Sequence, residues 1–486
     1  MVYHSTRGTQ HRVDSAQAVL EGLAPDGGLF VPEELPYINV EACLQENTMD
    51  MACRIISAML PDIENMPDLI EKAYQGKFQT EELTPTVKAG DMTVLELFRG
   101  PTSAFKDVAL CMLPQLLTKA RTQKGMTDEI LILTATSGDT GKAALAGFAN
   151  VPGVGICVFY PEGGVSAVQR AQMVTQEGNN VAVCAVRGNF DDAQTGVKNL
   201  FAAADNGKLP GDSRSLSTAN SINIGRLAPQ ITYYFKAYSD LLRRGEIQMG
   251  DKVNFSVPTG NFGDILAGFL AKRLGLPVGM LICASNANNV LTDFIRTGIY
   301  DRRRPLHKTI SPSMDILVSS NLERLLYFLS DGDTELVAGL MKKLGSDGFY
   351  QVPDGLLEKI KAEFWAGYCD DEKASLTIKS AWEKTGYLCD PHTAAGWAVA
   401  EEYIASTGDN RPMVVLSTAS PYKFPGAVLS ALTKPESDDE FAQMEQLSTL
   451  TGVPVPANLS GLREKPEKHT DVINKEEMLS YVKEIK

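Results

Sequence analysis

A lysine that follows a Gly-Pro turn and precedes a long apolar pattern is the residue best suited to chemistry in this sequence. Residues 100–107 read Gly-Pro-Thr-Ser-Ala-Phe-Lys-Asp, and apolar side chains then recur through Leu117. The pattern predicts that Lys106 lies where a loop enters a helix. An amine becomes a nucleophile where burial or a neighbouring group makes its neutral form accessible. By itself this position is more typical of an exposed lysine at a helix end, so other motifs have to decide.

A second candidate site ends a predicted strand and begins a predicted helix. Residues 134–142 read Thr-Ala-Thr-Ser-Gly-Asp-Thr-Gly-Lys. Hydroxyl and N–H groups at a helix N-terminus bind carboxylates or phosphates. The Gly-Lys pair does not make a nucleotide P-loop, because no glycine stands five residues before Gly141 and an alanine follows Lys142. On these residues alone, a helix start without a ligand fits equally well.

Two further loops follow predicted strands. Residues 257–264 read Val-Pro-Thr-Gly-Asn-Phe-Gly-Asp, and two glycines three apart let backbone N–H groups converge on a phosphate. Residues 416–423 include Thr418, whose hydroxyl could bond a heterocycle nitrogen or only cap a helix. In an open α/β sheet such loops meet beyond the carboxyl ends of the strands. An amine, a carboxylate site, a phosphate site and a hydroxyl are together the parts that pyridoxal phosphate requires.

Predicted strands and helices alternate through most of the chain. Continuous apolar runs predict strands at 130–135, 156–160, 181–186, 253–257, 280–284 and 413–417. Helical patterns between them include 143–148, 165–177 and 264–274. Apolar strands separated by helices indicate parallel sheets covered on both faces, which is an α/β fold of the doubly wound type.

The length of 486 residues indicates two to three domains. We expect a mainly helical N-terminal domain at 1–92 and a small mobile domain at 133–228, which should close on substrate. The large domain should comprise 93–132 and 229–432, with a helical insertion at about 310–390. Residues 433–486 should form a polar C-terminal tail.

Composition excludes several classes of protein. The formal charge of −14 disfavours nucleic acid as a partner, although a local pocket can still bind a small anion. No apolar run is long enough to span a membrane and no signal-peptide core opens the chain, so we expect a cytoplasmic protein. Eight cysteines without a C-x-x-C pair indicate reduced thiols, and five scattered histidines argue against a zinc site. A monomer and a homodimer both stay open.

Several motifs, in order along the chain, resemble the threonine synthases, a family of fold-type II pyridoxal-phosphate enzymes, in their longer bacterial and fungal branch. They lie at 22–30, 100–107, 133–141, 219–223, 258–264, 390–393 and 417–419. The resemblance implies two doubly wound parallel-sheet domains of the tryptophan synthase β-like kind, with pyridoxal 5'-phosphate as cofactor. It also implies the last step of threonine biosynthesis: a lyase releases phosphate from the γ-carbon of O-phospho-L-homoserine, and water adds at the β-carbon to give L-threonine.

The resemblance also implies a role for each matching residue. Lys106 would bind the cofactor covalently and later shuttle protons. The ring nitrogen would bond Thr418. The residues implied for the cofactor phosphate are Gly260, Asn261, Phe262 and Gly263, with Asp264 close by. Those implied for the substrate carboxylate are Ser137, Gly138 and Thr140, beside Asp139, Asn220 and Asn223. Many fold-type II enzymes have asparagine where this chain has Asp139, and the longer threonine synthases share the aspartate.

The leaving phosphate needs a cation. Arg226 is our candidate, with Lys142 and Arg99 as weaker ones, and each could instead be a surface or ion-paired residue. His392 fits a structural residue under the site better than a catalytic one. Two alternatives to the implied reaction stay open. One is a phospholyase that releases 2-oxobutyrate, and the other is a non-catalytic relative that binds a phosphorylated ligand.

Overall fold

Helices surround four β-sheets in the computed structural model, which describes residues 1–136, 138–205 and 207–485. The strands are Val2–Ser5, Gly8–Asp14, Phe30–Pro32, Thr86–Ala89, Met92–Glu96, Ile130–Ala135, Val154–Pro161, Val181–Val186, Ser215–Ser217, Val253–Pro258, Val278–Ser285, Ile299–Asp301, Phe349–Gln351, Phe364–Tyr368, Met413–Ser417 and Val472–Ile473. The α-helices are Ser15–Glu21, Val40–Gln45, Thr48–Met59, Met66–Tyr74, Lys106–Gln123, Asp139–Phe148, Ala167–Val174, Phe190–Ala202, Ile224–Arg243, Gly263–Arg273, Val290–Thr297, Leu322–Leu329, Thr334–Ser346, Asp354–Glu363, Asp371–Thr385, Pro391–Thr407, Pro425–Leu432, Glu440–Thr451 and Met478–Glu484. Short 3₁₀ turns lie at Pro312–Met314, Pro421–Lys423 and Lys475–Glu477.

The largest sheet has six strands and carries most of the candidate site. Its order is Phe364–Tyr368, Val278–Ser285, Val253–Pro258, Met413–Ser417, Met92–Glu96 and Thr86–Ala89. All neighbours are parallel except the last pair. The three central strands are buried along their whole length, as strands covered by helices on both faces should be. Their carboxyl ends therefore bring the loops after 96, 258 and 417 to one edge.

The second sheet has five parallel strands and carries the 134–142 loop. Its order is Val472–Ile473, Val181–Val186, Val154–Pro161, Ile130–Ala135 and Ser215–Ser217. The edge strand at 472–473 comes from the segment that we expect to be a tail. Met478, in the helix that follows, is buried in the core beneath this sheet.

The N-terminal region adds a small antiparallel sheet to its helices and is tied to the large sheet's loops. Val2–Ser5 lies between Gly8–Asp14 and Phe30–Pro32. Arg324 is fully buried and donates from Nε to the Phe30 carbonyl at 3.0 Å and from Nη2 to the Ile222 carbonyl at 2.6 Å. One side chain thus joins the N-terminal sheet to the segment that leads into the helix of Arg226.

The doubly wound α/β class is confirmed by the two parallel sheets. The predicted strands all occur, and those at 130–135, 181–186 and 413–417 have the predicted bounds. The domain boundaries stay predictions, to which the structure adds that Thr86–Ala89 and Phe364–Tyr368 form the two edges of the large sheet. Within the described residues, no helix combines the length and apolar character that crossing a membrane requires.

Candidate active site

Lys106 is the first residue of the helix Lys106–Gln123. Asp107, the second residue, holds the preceding turn by hydrogen bonds. The buried carboxylate of Asp107 accepts from the Thr102 backbone N–H at 2.8 Å and from its hydroxyl at 2.5 Å. Gly100 has to be a glycine, because a Cβ there would lie 2.5 Å from Asp107. Phe105 then donates its N–H to the Thr418 carbonyl at 2.8 Å. The turn therefore places the lysine beside the loop that follows the central strand.

The amine of Lys106 lies in a desolvating environment with charges of both signs. Its Nζ donates to Ser313 Oγ at 3.4 Å and lies 4.9 Å from the centroid of the Phe105 ring. Burial lowers the pKa of Lys106 to about 8; Lys423 and Arg226 also lower it, while Asp139 opposes the change. Near neutral pH the amine therefore has a far larger neutral fraction than an exposed lysine has.

The loop at 259–263 presents unpaired backbone donors. Phe262 adopts a left-handed conformation (φ 64°), and its ring is buried against Phe364. The carbonyls of Gly260 and Asn261 accept from the Ser319 hydroxyl at 2.7 Å and from the Asn321 N–H at 3.0 Å. By contrast, the N–H groups of residues 260–263 have no acceptor among the described residues. Four N–H donors without acceptors, where a loop enters a helix, are suited to binding a phosphate.

Gly260, at the start of this loop, has no room for a side chain, and the Asp264 carboxylate that follows the loop bonds its own helix. A Cβ on Gly260 would lie 2.7 Å from the Ser313 carbonyl oxygen. Asp264 accepts from the Ile265 N–H at 2.9 Å, and burial raises the pKa of Asp264 to about 6. The acid is thus held against its own helix rather than across the donor cradle.

Thr418 and Ser417 are neighbours with different roles. The Ser417 hydroxyl lies 2.9 Å from the Thr393 hydroxyl and accepts from Tyr387 at 3.4 Å, so it belongs to a buried network. The Thr418 hydroxyl has no hydrogen-bond partner among the described residues. Thr418 therefore keeps a donor available beside Lys106, as its implied role requires.

The loop at 136–140 closes on the hydroxyl of Thr136, which accepts from the N–H groups of Gly138 at 3.0 Å and Gly141 at 2.9 Å. Gly138 has φ 143°, and a Cβ there would lie 2.5 Å from the Gln169 side chain. Thr140 is half-buried, and its hydroxyl has no partner in the described part of the chain. Ser137 lies outside the described residues.

Asp139 forms a buried ion pair that the sequence did not reveal. Its Oδ1 lies 2.6 Å from Lys423 Nζ and accepts from Gln169 Nε2 at 3.0 Å, and the two charged side chains are 3% and 0% exposed. Burial by itself raises the pKa of Asp139, but Lys423 and Lys106 together hold it well below its usual range. Lys423 also donates to the Thr102 carbonyl at 3.2 Å, so the pair links this loop to the turn before Lys106.

We expect Asp139→Asn to lower the free energy of unfolding by about 3 kcal/mol at neutral pH, because Lys423 is left buried without a counter-charge. The folded-state pKa of Asp139 is depressed, so its contribution is present above the unfolded-state pKa and is lost as the pH falls. Denaturant titrations at neutral and acidic pH measure both effects. Glu177→Gln, which breaks the exposed pair with Lys468, should leave the midpoint nearly unchanged.

Arg226 is a buried cation that has no carboxylate partner in the part of the chain that the structure describes. It is 3% exposed, and its Nη1 donates to the Ala219 carbonyl at 2.8 Å. Its Nε has no partner among the described residues, and burial lowers the pKa of Arg226 to about 10. A buried guanidinium normally requires an anion, so this side chain is suited to binding one that arrives with a ligand.

The two asparagines before Arg226 have different surroundings. Asn223 is buried, and both polar atoms of its side chain form hydrogen bonds. Its Oδ1 caps the helix Ile224–Arg243 by accepting from the Gly225 N–H at 2.8 Å, and its Nδ2 donates to the Val19 carbonyl at 2.9 Å. Asn220 is exposed, and its side chain accepts a hydrogen bond from the Ser221 hydroxyl at 3.3 Å. A contact of Asn220 or Asn223 with substrate stays a prediction.

The weaker candidates for the phosphate cation are engaged elsewhere. Arg99 pairs with Glu96 at 2.5 Å. Lys142 donates to the Gln176 side chain, and burial lowers the pKa of Lys142 to about 8. Among the described residues, no group of acids, histidines and cysteines has the arrangement of a metal site.

Three family models match the chain in succession. They describe the threonine synthase N terminus at residues 2–74, a pyridoxal-phosphate dependent enzyme at 79–338 and the threonine synthase C-terminal part at 393–484. Threonine synthase from Pseudomonas aeruginosa is 40% identical over 485 residues, which cover 98% of this chain and 96% of that relative. The chain belongs to the threonine synthase family. Membership confirms the resemblance carried by the motifs, including the fold-type II pyridoxal-phosphate fold.

Solved and curated relatives agree with membership in the threonine synthase family. The crystal structure of threonine synthase from Brucella melitensis with bound pyridoxal phosphate has a TM-score of 0.89 and 37% identity, and the match covers 99% of this chain and 98% of that one. Human threonine synthase-like 1 is 38% identical over 457 residues, which is 90% of this chain. The chain spans only 61% of that human relative's length.

Proposed function

We propose that this chain converts O-phospho-L-homoserine and water into L-threonine and phosphate, with pyridoxal 5'-phosphate bound at Lys106. The observation that supports this most is the pairing of two sites suited to anions with one reactive amine. Within the described residues, the backbone donors at 260–263 lack acceptors and the buried Arg226 has no carboxylate partner, and desolvation lowers the pKa of the Lys106 amine. A substrate and a cofactor that each carry a phosphate fit two such sites.

The residues present fit the cofactor. The N–H groups of 260–263 would hold its phosphate, and the closeness of Gly260 to Ser313 leaves no room for a side chain in the cradle. The Thr418 hydroxyl would donate to the ring nitrogen, because no described residue forms a hydrogen bond with that hydroxyl. When bound, pyridoxal phosphate supplies an electron sink for the carbon next to the substrate nitrogen.

The chain's own residues account for the remaining steps. Lys106, as a free amine, would take the α-proton and then a β-proton of the substrate, and would return protons to the γ- and α-carbons. The N–H groups at the start of the helix Asp139–Phe148, with the Thr140 hydroxyl, would bind the substrate carboxylate. Arg226 stabilises the phosphate that departs from the γ-carbon, and water then adds at the β-carbon to give threonine. Closure of the small domain over the substrate, the cytoplasm as location and a monomeric or dimeric state are part of this proposal.

The direct test is a product analysis with purified protein, pyridoxal phosphate and O-phospho-L-homoserine. We expect phosphate and threonine in equal amounts, and no product from homoserine, whose hydroxyl is a poor leaving group and cannot bind at Arg226. Phosphate release accompanied by 2-oxobutyrate and ammonia would identify a phospholyase instead. Cofactor binding without any phosphate release would leave a non-catalytic ligand-binding protein.

A further inference from the structure

His392 joins the helix Pro391–Thr407 to a segment far away in the chain. Its Nδ1 donates to Asp390 Oδ2 at 2.6 Å, and the same carboxylate caps the helix through the N–H groups of His392 and Thr393. Its Nε2 accepts the Ser313 N–H at 3.1 Å. A backbone N–H can only donate, so Nε2 carries the lone pair and Nδ1 the proton. The imidazole, 2% exposed, is thus fixed in one tautomer by its two partners.

Ser313, held by His392, touches both parts of the cofactor site. Its hydroxyl accepts from Lys106 Nζ at 3.4 Å, and its carbonyl lies against Gly260 at the start of the donor loop. The end of its segment is anchored separately, because Asp315 accepts from Asn286 at 2.7 Å and from Thr309 at 2.8 Å. The bond from His392 is therefore the anchor nearest to the lysine.

We propose that His392, oriented by Asp390, is a positioning residue that holds Ser313 between Lys106 and the donor loop at 260–263. Among the described residues it forms no hydrogen bond with the amine or with the loop, and it acts through Ser313. The inference rests on the proposed function only in that Lys106 and the loop bind pyridoxal phosphate. A helix cap needs Asp390 alone, so a purely structural role does not explain why the far nitrogen reaches Ser313.

The test compares variants of the full chain by their affinity for pyridoxal phosphate. We expect His392→Phe, which removes the acceptor, to raise the Kd for the cofactor roughly tenfold, as losing a buried hydrogen bond should. His392→Gln places an amide oxygen near the position of Nε2 and should restore most of the affinity. Phe424→Leu is the matched control, because the ring centroids of Phe424 and His392 are 4.9 Å apart and a phenyl ring offers Ser313 no acceptor atom. It should change only the unfolding midpoint.

Ser313→Ala keeps the backbone N–H that His392 binds and removes only the hydroxyl, so it decides whether His392 acts on Lys106 through that hydroxyl. We expect Ser313→Ala to weaken cofactor binding and to slow the appearance of borohydride-trapped cofactor on Lys106, measured by mass spectrometry. Adding His392→Phe should then cost less than it does in the wild type. A His392→Phe variant that behaves like Phe424→Leu, or unchanged affinity and trapping in Ser313→Ala together with fully additive effects, would each overturn the proposal. Threonine formation is not measured, so failure of the proposed reaction is a separate result.

Discussion

Lys106→Ala should lower turnover of O-phospho-L-homoserine by at least about 10³-fold, because in the proposed reaction one side chain would supply both the covalent anchor and the proton shuttle. The variant should still bind pyridoxal phosphate weakly through the N–H groups of 260–263. It should no longer retain the cofactor after borohydride reduction and denaturation. Phosphate release measures the first effect, and mass spectrometry of the reduced protein measures the second.

Lys119→Ala is the matched control, because Lys119 lies on the same helix and pairs at 3.1 Å with the mostly exposed Glu64. It should keep full activity and full cofactor trapping. Lys106→Arg separates charge from nucleophilicity, since a guanidinium keeps the positive charge but does not attack an aldehyde at neutral pH. Retention of turnover in Lys106→Ala, or trapping on another lysine, would contradict the assigned role.

The reactivity of Lys106 should follow pH in a way that its neighbours set. With a pKa of about 8, the rate of cofactor attachment should rise between neutral and moderately alkaline pH and then level off. Asp139 raises this pKa and Lys423 lowers it, so Asp139→Asn should move the profile to lower pH and Lys423→Met to higher pH. Stopped-flow absorbance on cofactor-depleted protein measures the profile. Identical profiles in the two variants would contradict this electrostatic explanation.

The sequence could predict the loops of the site because the fold follows from local patterns. Continuous apolar runs read as buried parallel strands, and such strands put their following loops at one edge. Lys106, the 259–263 loop and Thr418 were found in this way, and the structure brings them together. The order of the strands was not accessible, because Met413–Ser417 inserts between Val253–Pro258 and Met92–Glu96 through long-range packing.

The supporting contacts of the site were missed because they join distant residues of ordinary types. Lys106 and Ser313 are 207 residues apart, and Ser313 and His392 are 79 apart. Nothing near Ser313 in the sequence signals a partner for a lysine. The sequence places Asp139 at a helix start but does not show that the carboxylate is buried. Only that burial, seen in the structure, requires a cation such as Lys423. Lys423 lies in the 416–423 segment, where the predicted functional group is the Thr418 hydroxyl.

Arg226→Met should lower kcat/KM for O-phospho-L-homoserine by roughly 10²-fold or more, which corresponds to the 2–5 kcal/mol expected when one member of a buried charge pair is removed. Affinity for pyridoxal phosphate and its trapping on Lys106 should change little, because Arg226 is assigned to the substrate's phosphate. Inorganic phosphate should inhibit the wild type competitively and the variant much less. Steady-state kinetics with and without added phosphate measure both effects.

The stability of Arg226→Met provides an independent test of the role assigned to Arg226. Among residues 1–136, 138–205 and 207–485, the buried Arg226 finds no partner for Nε and no carboxylate, so Arg226→Met should keep or raise the free energy of unfolding of the ligand-free protein. Arg324→Met is the matched control, because that buried arginine uses Nε, Nη1 and Nη2 in hydrogen bonds to Phe30, Asn321 and Ile222. It should be strongly destabilising. If Arg226→Met unfolded as easily as Arg324→Met while keeping kcat/KM, Arg226 would be a scaffold residue. A loss of kcat/KM at unchanged stability would instead mean that Arg226 serves phosphate binding, although its charge is uncompensated in the ligand-free fold.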